Sequence, residues 1–104
     1  MAKYLLAYTG GGMPETEEEQ AAVTAAWEKW FGTLGAAVAD PGNPFGPSAT
    51  IAADGGTSDG GAARLTGYSI ISADSLGEAV GLAKDCPVRT GGGSVEVYET
   101  FDVM

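Results

Sequence analysis

The chain has 104 residues, 44% of them hydrophobic, which suffices for one core and predicts a single domain over residues 1–104. Five basic residues against 14 acidic ones give a net charge of −9, which argues against a nucleic-acid or anionic-membrane partner. There is no histidine and only one cysteine, Cys86, which excludes His-dependent catalysis, internal disulfides and metal sites built on His or several Cys. No apolar run is long enough for a signal peptide or a membrane span, so we expect a cytoplasmic protein. We also expect the protein to have no cofactor.

The first two predicted elements are a strand and a helix. Residues 3–9 favour a strand that is apolar on both faces, and such a strand lies in the middle of its sheet. Residues 16–34 are predicted to form a helix, because Thr16 and Glu19 have capping-box spacing and large apolar residues recur at helical intervals. These apolar residues are Val23, Trp27, Trp30, Phe31 and Leu34.

A long segment rich in glycine, proline and aspartate follows the helix. Residues 36–39 predict a short second strand, and residues 40–63 then contain no lysine or arginine. We interpret residues 40–63 as a loop that carries a modest strand at residues 48–53. A loop of this length in a small domain is usually functional or mobile.

The second half of the chain repeats the pattern of strand, helix and strand. Residues 64–73 predict a strand, in which Gly67 marks a bulge or the close approach of another segment. Ser75 begins a second capping-box pattern, and the helix that it opens ends at Pro87. Residues 94–101 alternate in the manner of a final strand.

The order of elements predicts the fold class. Two successive β-α-β units indicate an α+β, ferredoxin-like βαββαβ sandwich with an extra strand-bearing loop. Both helices then lie on one face of an antiparallel sheet, whereas the strands are apolar on both faces. We therefore expect a second copy of the chain to cover the other face, so that two sheets pack together in a homodimer.

Several fragments, taken in order, carry a resemblance to a known family. They are Lys-Tyr-Leu-Leu-Ala-Tyr (3–8), a Trp-bearing helix with an acidic start that ends in Leu-Gly-Ala (34–36), Asp-Gly (59–60), Leu-Thr-Gly-Tyr-Ser-Ile-Ile (65–71), Asp-Ser-Leu-Gly-Glu-Ala (74–79), Cys-Pro (86–87) and Val-Glu-Val (95–97). The chain resembles the YCII-related, or DGPF-domain, family over nearly its whole length. The resemblance implies a bacterial protein that forms a dimeric α/β barrel from two ferredoxin-like subunits with a small-molecule pocket. The His-Asp pair of some members cannot be present here, because the chain has no histidine.

Two aspartates are the candidate catalytic residues. The resemblance places Asp59 at the family's Asp-Gly-Pro-Phe motif, where a carboxylate would serve as a base or a polar anchor. Asp40 follows the short predicted strand and would lie at the rim of a pocket over the sheet. Each aspartate precedes a turn-forming residue, so each is equally interpretable as a turn residue.

Four other residues are candidates for ligand binding. Tyr8 and Tyr68 would line a cavity and offer phenolic hydroxyls, although tyrosines on strands also serve as core or interface residues. Trp27 would flank an aromatic ligand, or belong to the core. Arg64 would pair with an anionic ligand, or form a salt bridge with one of the chain's many acidic residues.

Three functions remain open at this point. The first is a homodimer that binds an apolar or aromatic metabolite in a pocket between helix and sheet. The second is a cofactor-free acid/base isomerase or hydrolase that uses Asp59 or Asp40 with Tyr8 or Tyr68. The third is a dimerisation module without a ligand. A cavity in which Asp59 or Asp40 faces Tyr8 or Tyr68 favours the enzyme. A cavity lined only by apolar and aromatic groups favours binding without turnover, and a closed, dry interior without convergent polar groups favours the module.

Overall fold

The computed structural model describes residues 2–10, 15–60 and 64–103, so the last three residues of the predicted loop, 61–63, lie outside the described residues. The strands and helices, in chain order, are β1 (Ala2–Thr9), α1 (Glu17–Leu34), β2 (Val38–Asp40), β3 (Ala49–Ile51), β4 (Thr57–Asp59), β5 (Leu65–Ala73), α2 (Leu76–Ala83), α3 (Pro87–Thr90) and β6 (Ser94–Glu99). None of these helices combines the length and the apolar character needed to cross a bilayer.

Four strands form one antiparallel sheet in the order β2-β5-β1-β6, with β1 between two neighbours as its apolar faces predicted. Tyr8 lies opposite Gly67 on β5 and opposite Val95 on β6, which fixes the register across the centre of the sheet. The α+β class and the antiparallel sheet are confirmed, and this strand order is compatible with a ferredoxin-like fold.

Both capping predictions are confirmed. The Thr16 hydroxyl accepts a hydrogen bond of 3.1 Å from the amide of Glu19, and the Ser75 hydroxyl accepts one of 3.1 Å from the amide of Glu78. Each bond satisfies an amide that has no partner inside the helix. At the other end, α1 stops at Gly35, whose φ of 55° an ordinary residue rarely adopts.

The core lies between one face of the sheet and the helices. We call this face of the sheet the cavity face, after the cavity described below. It includes Tyr4, Leu6, Tyr8, Ser69, Ile71 and Val97. The buried residues of α1 and α2 all join this cluster, but α1 contributes only Trp30 as a fully buried side chain. The indole of Trp30 donates a 3.2 Å hydrogen bond to the carbonyl of Leu82, which ties α1 to α2.

The structure corrects several predicted boundaries. Residues 35–37 form a 3₁₀ turn, so the second strand lies at 38–40 and not at 36–39. The segment predicted as a loop contains a two-stranded hairpin, of which the prediction at 48–53 found only the first strand. The second helix ends at Ala83, and the following proline opens α3, because proline suits the first turn of a helix.

The segment after β2 runs very close to β5, and two glycines make this possible. The pairing of β1 with β5 shifts register between Tyr8 and Thr9, opposite Gly67, and a Cβ on Gly67 would lie 3.2 Å from the carbonyl oxygen of Asn43. The predicted bulge or close approach at Gly67 is thus confirmed. Gly42 has a φ of 74°, and its Cβ would lie 1.7 Å from the carbonyl oxygen of Tyr68.

We therefore expect Gly42→Ala to lower the free energy of unfolding by more than about 2 kcal/mol, because it adds left-handed strain to a backbone clash. Gly46→Ala is the matched control in the same segment, since a Cβ there meets no atom within 4 Å. Urea unfolding monitored by circular dichroism measures both variants. Equal stability of the two variants would contradict the close approach.

Candidate functional site

A cavity of 490 Å³ lies between α1 and the sheet. The N-terminal half of α1 is exposed, and Val23 remains 42% exposed although it belongs to the helix's apolar series. Five segments supply the described lining of the cavity: Tyr8 on β1; Val23, Thr24, Trp27, Glu28 and Phe31 on α1; Pro41, Gly42, Asn43 and Pro44 after β2; Thr66, Gly67, Tyr68 and Ser69 on β5; and Val88 on α3.

Aromatic rings form the wall between the cavity and the core. The ring of Trp27 meets that of Tyr8 edge to face, with centroids 5.3 Å apart and planes at 69°. Trp27 also contacts Trp30 and Phe31, each at a centroid distance of 5.7 Å. These are the separations at which aromatic pairs attract one another, so the rings hold each other in place.

A buried chain of hydrogen bonds lies on the cavity face. The Tyr8 hydroxyl donates to the Ser69 hydroxyl at 2.7 Å, and Ser69 donates to the carbonyl of Pro41, also at 2.7 Å. Ser69 is fully buried, so an unpaired hydroxyl there would be costly. The chain of bonds fixes the segment after β2 against β5, at one rim of the cavity.

Burial favours the neutral form of two groups near the cavity, the Tyr8 hydroxyl and the Cys86 thiol. It raises the pKa of the Tyr8 hydroxyl far above its usual value of about 10, an effect that the bond to Ser69 only partly opposes. Burial also raises the pKa of the Cys86 thiol. At neutral pH, Tyr8 is therefore a hydrogen-bonding phenol, and Cys86 is a buried thiol without nucleophilic character.

The two candidate catalytic aspartates do not meet in the structure. Asp40 is not among the lining residues, and one of its carboxylate oxygens accepts a 2.8 Å hydrogen bond from the amide of Gly42, which makes a local turn. Its other oxygen lies 3.5 Å from the hydroxyl of Tyr68. Asp59 lies at the exposed end of β4, away from the cavity.

The four predicted ligand-binding residues are distributed differently. Tyr8 and Trp27 lie side by side in the cavity wall. Tyr68 also lines the cavity, but it pairs with Ala7, so its ring belongs to the opposite face of the sheet from Tyr8 and stacks on Phe45 at 5.8 Å. Arg64 is exposed just before β5 and is not a lining residue.

Sequence analysis did not single out three important lining residues as site residues. Phe31 and Val23 were placed in the helix's apolar series, and nothing in that series distinguishes a residue that lines a cavity from one in the core. Ser69 carried a usable signal, because alternation along β5 puts this polar residue on the same face as Ile71. A polar residue on a core face needs a partner, and here the partners are Tyr8 and Pro41.

Comparison with known proteins adds no identification. No protein-family model matches the chain, and no curated protein matches its sequence. Within the described parts of the chain, no group of three or more Cys, Asp and Glu side chains is arranged to hold a metal ion. The cavity and its chemistry therefore carry the argument about function.

The raised pKa of Tyr8 predicts a stability change at alkaline pH. In the unfolded chain Tyr8 ionises near pH 10, whereas in the folded chain it keeps its proton. Above pH 10 the unfolded state thus binds fewer protons, and Tyr8 alone lowers the free energy of unfolding by up to about 1.4 kcal/mol per pH unit. We expect Tyr8→Phe to lower the free energy of unfolding by about 1 kcal/mol at pH 7, because the bond to Ser69 is lost. Above pH 10, the free energy of unfolding of this variant should fall less steeply with pH than that of the wild-type chain. Urea unfolding across pH 7–12 tests this. If the free energy of unfolding falls equally steeply with pH above pH 10 in the wild-type chain and in Tyr8→Phe, the prediction is wrong.

Proposed function

We propose that the chain binds a small apolar or aromatic molecule in the cavity between α1 and the sheet. The supporting observation is the cavity itself, whose 490 Å³ lies in the range of about 300–1,000 Å³ typical of small-molecule sites. Its walls are mainly aromatic and aliphatic, and the ring of Trp27 contacts the rings of both Tyr8 and Phe31. Such walls favour planar, apolar ligands.

The same lining is less suited to the two alternatives. An acid/base enzyme needs a group in the site that exchanges protons near neutral pH, but Tyr8 stays protonated there. Asp40 faces the Tyr68 hydroxyl at 3.5 Å, yet Asp40 is not a lining residue, and its other carboxylate oxygen accepts the amide of Gly42. Glu28 is the one carboxylate among the described lining residues, and it lies on the exposed side of α1. A module that only dimerises would have no use for a cavity of this size.

A binding experiment with matched phenylalanine variants tests the proposal. We expect a neutral aromatic probe, 3-methylindole, to raise the melting temperature by about 5–10 °C at ten times its Kd. Phe31→Ala should weaken binding about tenfold, because it removes part of the wall. Phe101→Ala is the control, since Phe101 is 81% exposed and is not a lining residue. An unchanged melting temperature, or equal losses in the two variants, would overturn the proposal.

We also propose that two copies pair through the other face of the sheet. This face, here called the open face, carries the apolar or aromatic side chains of Leu5, Ala7, Phe45, Tyr68, Ile70 and Tyr98. Its polar members in the same registers are Lys3, Ser72 and Glu96. Phe45 and Tyr98 are 46% and 50% exposed, and large apolar side chains exposed on one face of a sheet indicate an interaction surface.

The overall dimensions support this pairing. The chain exposes 7300 Å², whereas a compact monomer of its mass would expose about 5,400 Å². Its radius of gyration is 15.2 Å against about 13 Å for a compact domain of this length. The difference in area is sufficient for a stable interface. Pairing of two sheets would give the dimeric α/β barrel that the resemblance to the YCII-related family of bacterial proteins implies. Separately, the free cysteine supports a cytoplasmic location.

A charge placed on the open face tests the dimer. We expect the wild-type chain to sediment as two copies at micromolar concentration, and Tyr98→Glu to sediment as a monomer, because it would bury a carboxylate beside Glu96. Phe101→Glu, beyond the end of β6, is the control and should remain dimeric. A wild-type monomer, or a Tyr98→Glu dimer of wild-type affinity, would exclude pairing through this face.

A further inference from the structure

The charge and hydrogen-bonding character of the cavity point to a class of ligand. We propose that the cavity selects organic cations, namely aromatic or alkyl-substituted amines, over neutral and anionic molecules of the same shape. This inference rests on the proposed function, since it concerns the same cavity. It is carried by three independent features: the single charge in the lining, the aromatic wall, and the direction in which the hydroxyl groups donate.

The lining carries negative charge only. Glu28 is the one charged residue among the described lining residues. All five basic residues of the chain lie in the described parts, and none of them lines the cavity. Lys84 and Arg89 line a separate, smaller hollow of 260 Å³ beside α3. An anionic ligand would therefore lose its hydration without gaining a cationic partner, and the chain's net charge of −9 would repel it further.

The aromatic wall suits a cation. Trp27 makes edge-on or tilted contacts with its neighbours Tyr8 and Phe31, an arrangement in which the rings are not stacked flat on one another. The face of an aromatic ring attracts a cation, and tryptophan does so most strongly. Glu28 lines the same cavity as Trp27, so the lining offers an ammonium group both an aromatic ring and a carboxylate.

Three hydroxyl groups of the lining already donate to the protein. Tyr8 donates to Ser69, Ser69 donates to the carbonyl of Pro41, and Thr66 donates to the carbonyl of Tyr8 at 3.3 Å. Ser69 is fully buried, so the oxygens of Tyr8 and Thr66 are the ones that offer lone pairs to a ligand. Lone pairs accept hydrogen bonds from an ammonium group and have nothing to give to a carboxylate.

Three probes that share one ring system and differ in charge test the proposal. Tryptamine is a cation at pH 7, 3-methylindole is neutral, and indole-3-acetate is an anion. By isothermal titration calorimetry at low ionic strength, we expect tryptamine to bind at least tenfold more tightly than indole-3-acetate, with 3-methylindole between them. Added salt should narrow the difference.

Two charge-matched variants locate the source of the preference. Glu28→Gln should weaken tryptamine binding about threefold and leave 3-methylindole unchanged, as expected for one exposed charge. Glu18→Gln changes the net charge equally, but Glu18 lies in the first turn of α1 and does not line the cavity, so it should change neither affinity.

The outcomes separate the two proposals. If none of the three probes binds, the proposed function fails and this inference fails with it. If 3-methylindole binds but indole-3-acetate binds as tightly as tryptamine, the cavity binds small molecules and the cation preference is wrong. If Glu28→Gln and Glu18→Gln weaken tryptamine binding equally, the preference reflects net charge alone and the assignment to the cavity is overturned.

Discussion

The position of α1 is the constraint on which the rest of the structure depends. Trp30 anchors the helix near its C-terminal end, through burial and through the hydrogen bond from its indole to the carbonyl of Leu82. One turn earlier, Trp27 rests edge-on against Tyr8 and holds the helix away from the sheet. The cavity lies along the part of the helix from Val23 to Phe31, beside this contact of Trp27 with Tyr8.

The segment that follows β2 connects the two faces of the sheet. Pro41 and Pro44 form the rim of the cavity, and Pro41 is held there by the Ser69 hydroxyl. Phe45, which directly follows Pro44, stacks on Tyr68 on the open face. The amide of Phe45 donates a 2.9 Å hydrogen bond to the backbone carbonyl of Thr66, which fixes the segment as an extension of the sheet edge. A second copy packed on Phe45 would thus also steady the rim of the cavity.

The parts of the fold that local patterns determine could be predicted, and the parts set by long-range packing could not. A short apolar run that stops at glycine identified β1, and alternation identified β5. The hydroxyls of Thr16 and Ser75 identified two helix starts, because a cap is a contact between residues three positions apart. The strand Thr57–Asp59 has no apolar alternation, since the hairpin is fully exposed and is held by backbone bonds and an Asp-Gly turn. The cavity likewise depends on how far α1 stands from the sheet, which no local pattern records.

The polar groups near the cavity support the proposal that this site binds a ligand over the alternative that it transfers a proton. A catalytic carboxylate or phenol must be free to exchange its proton with the substrate. Here the carboxylate of Asp40 accepts the amide of Gly42, and the phenol of Tyr8 is spent on Ser69. Because each of these bonds also fixes the segment after β2, freeing either group for chemistry would loosen the wall that shapes the cavity. In this chain the hydrogen-bonded polar groups build the site, and the aromatic and aliphatic surface, together with the carboxylate of Glu28, is left to meet the ligand.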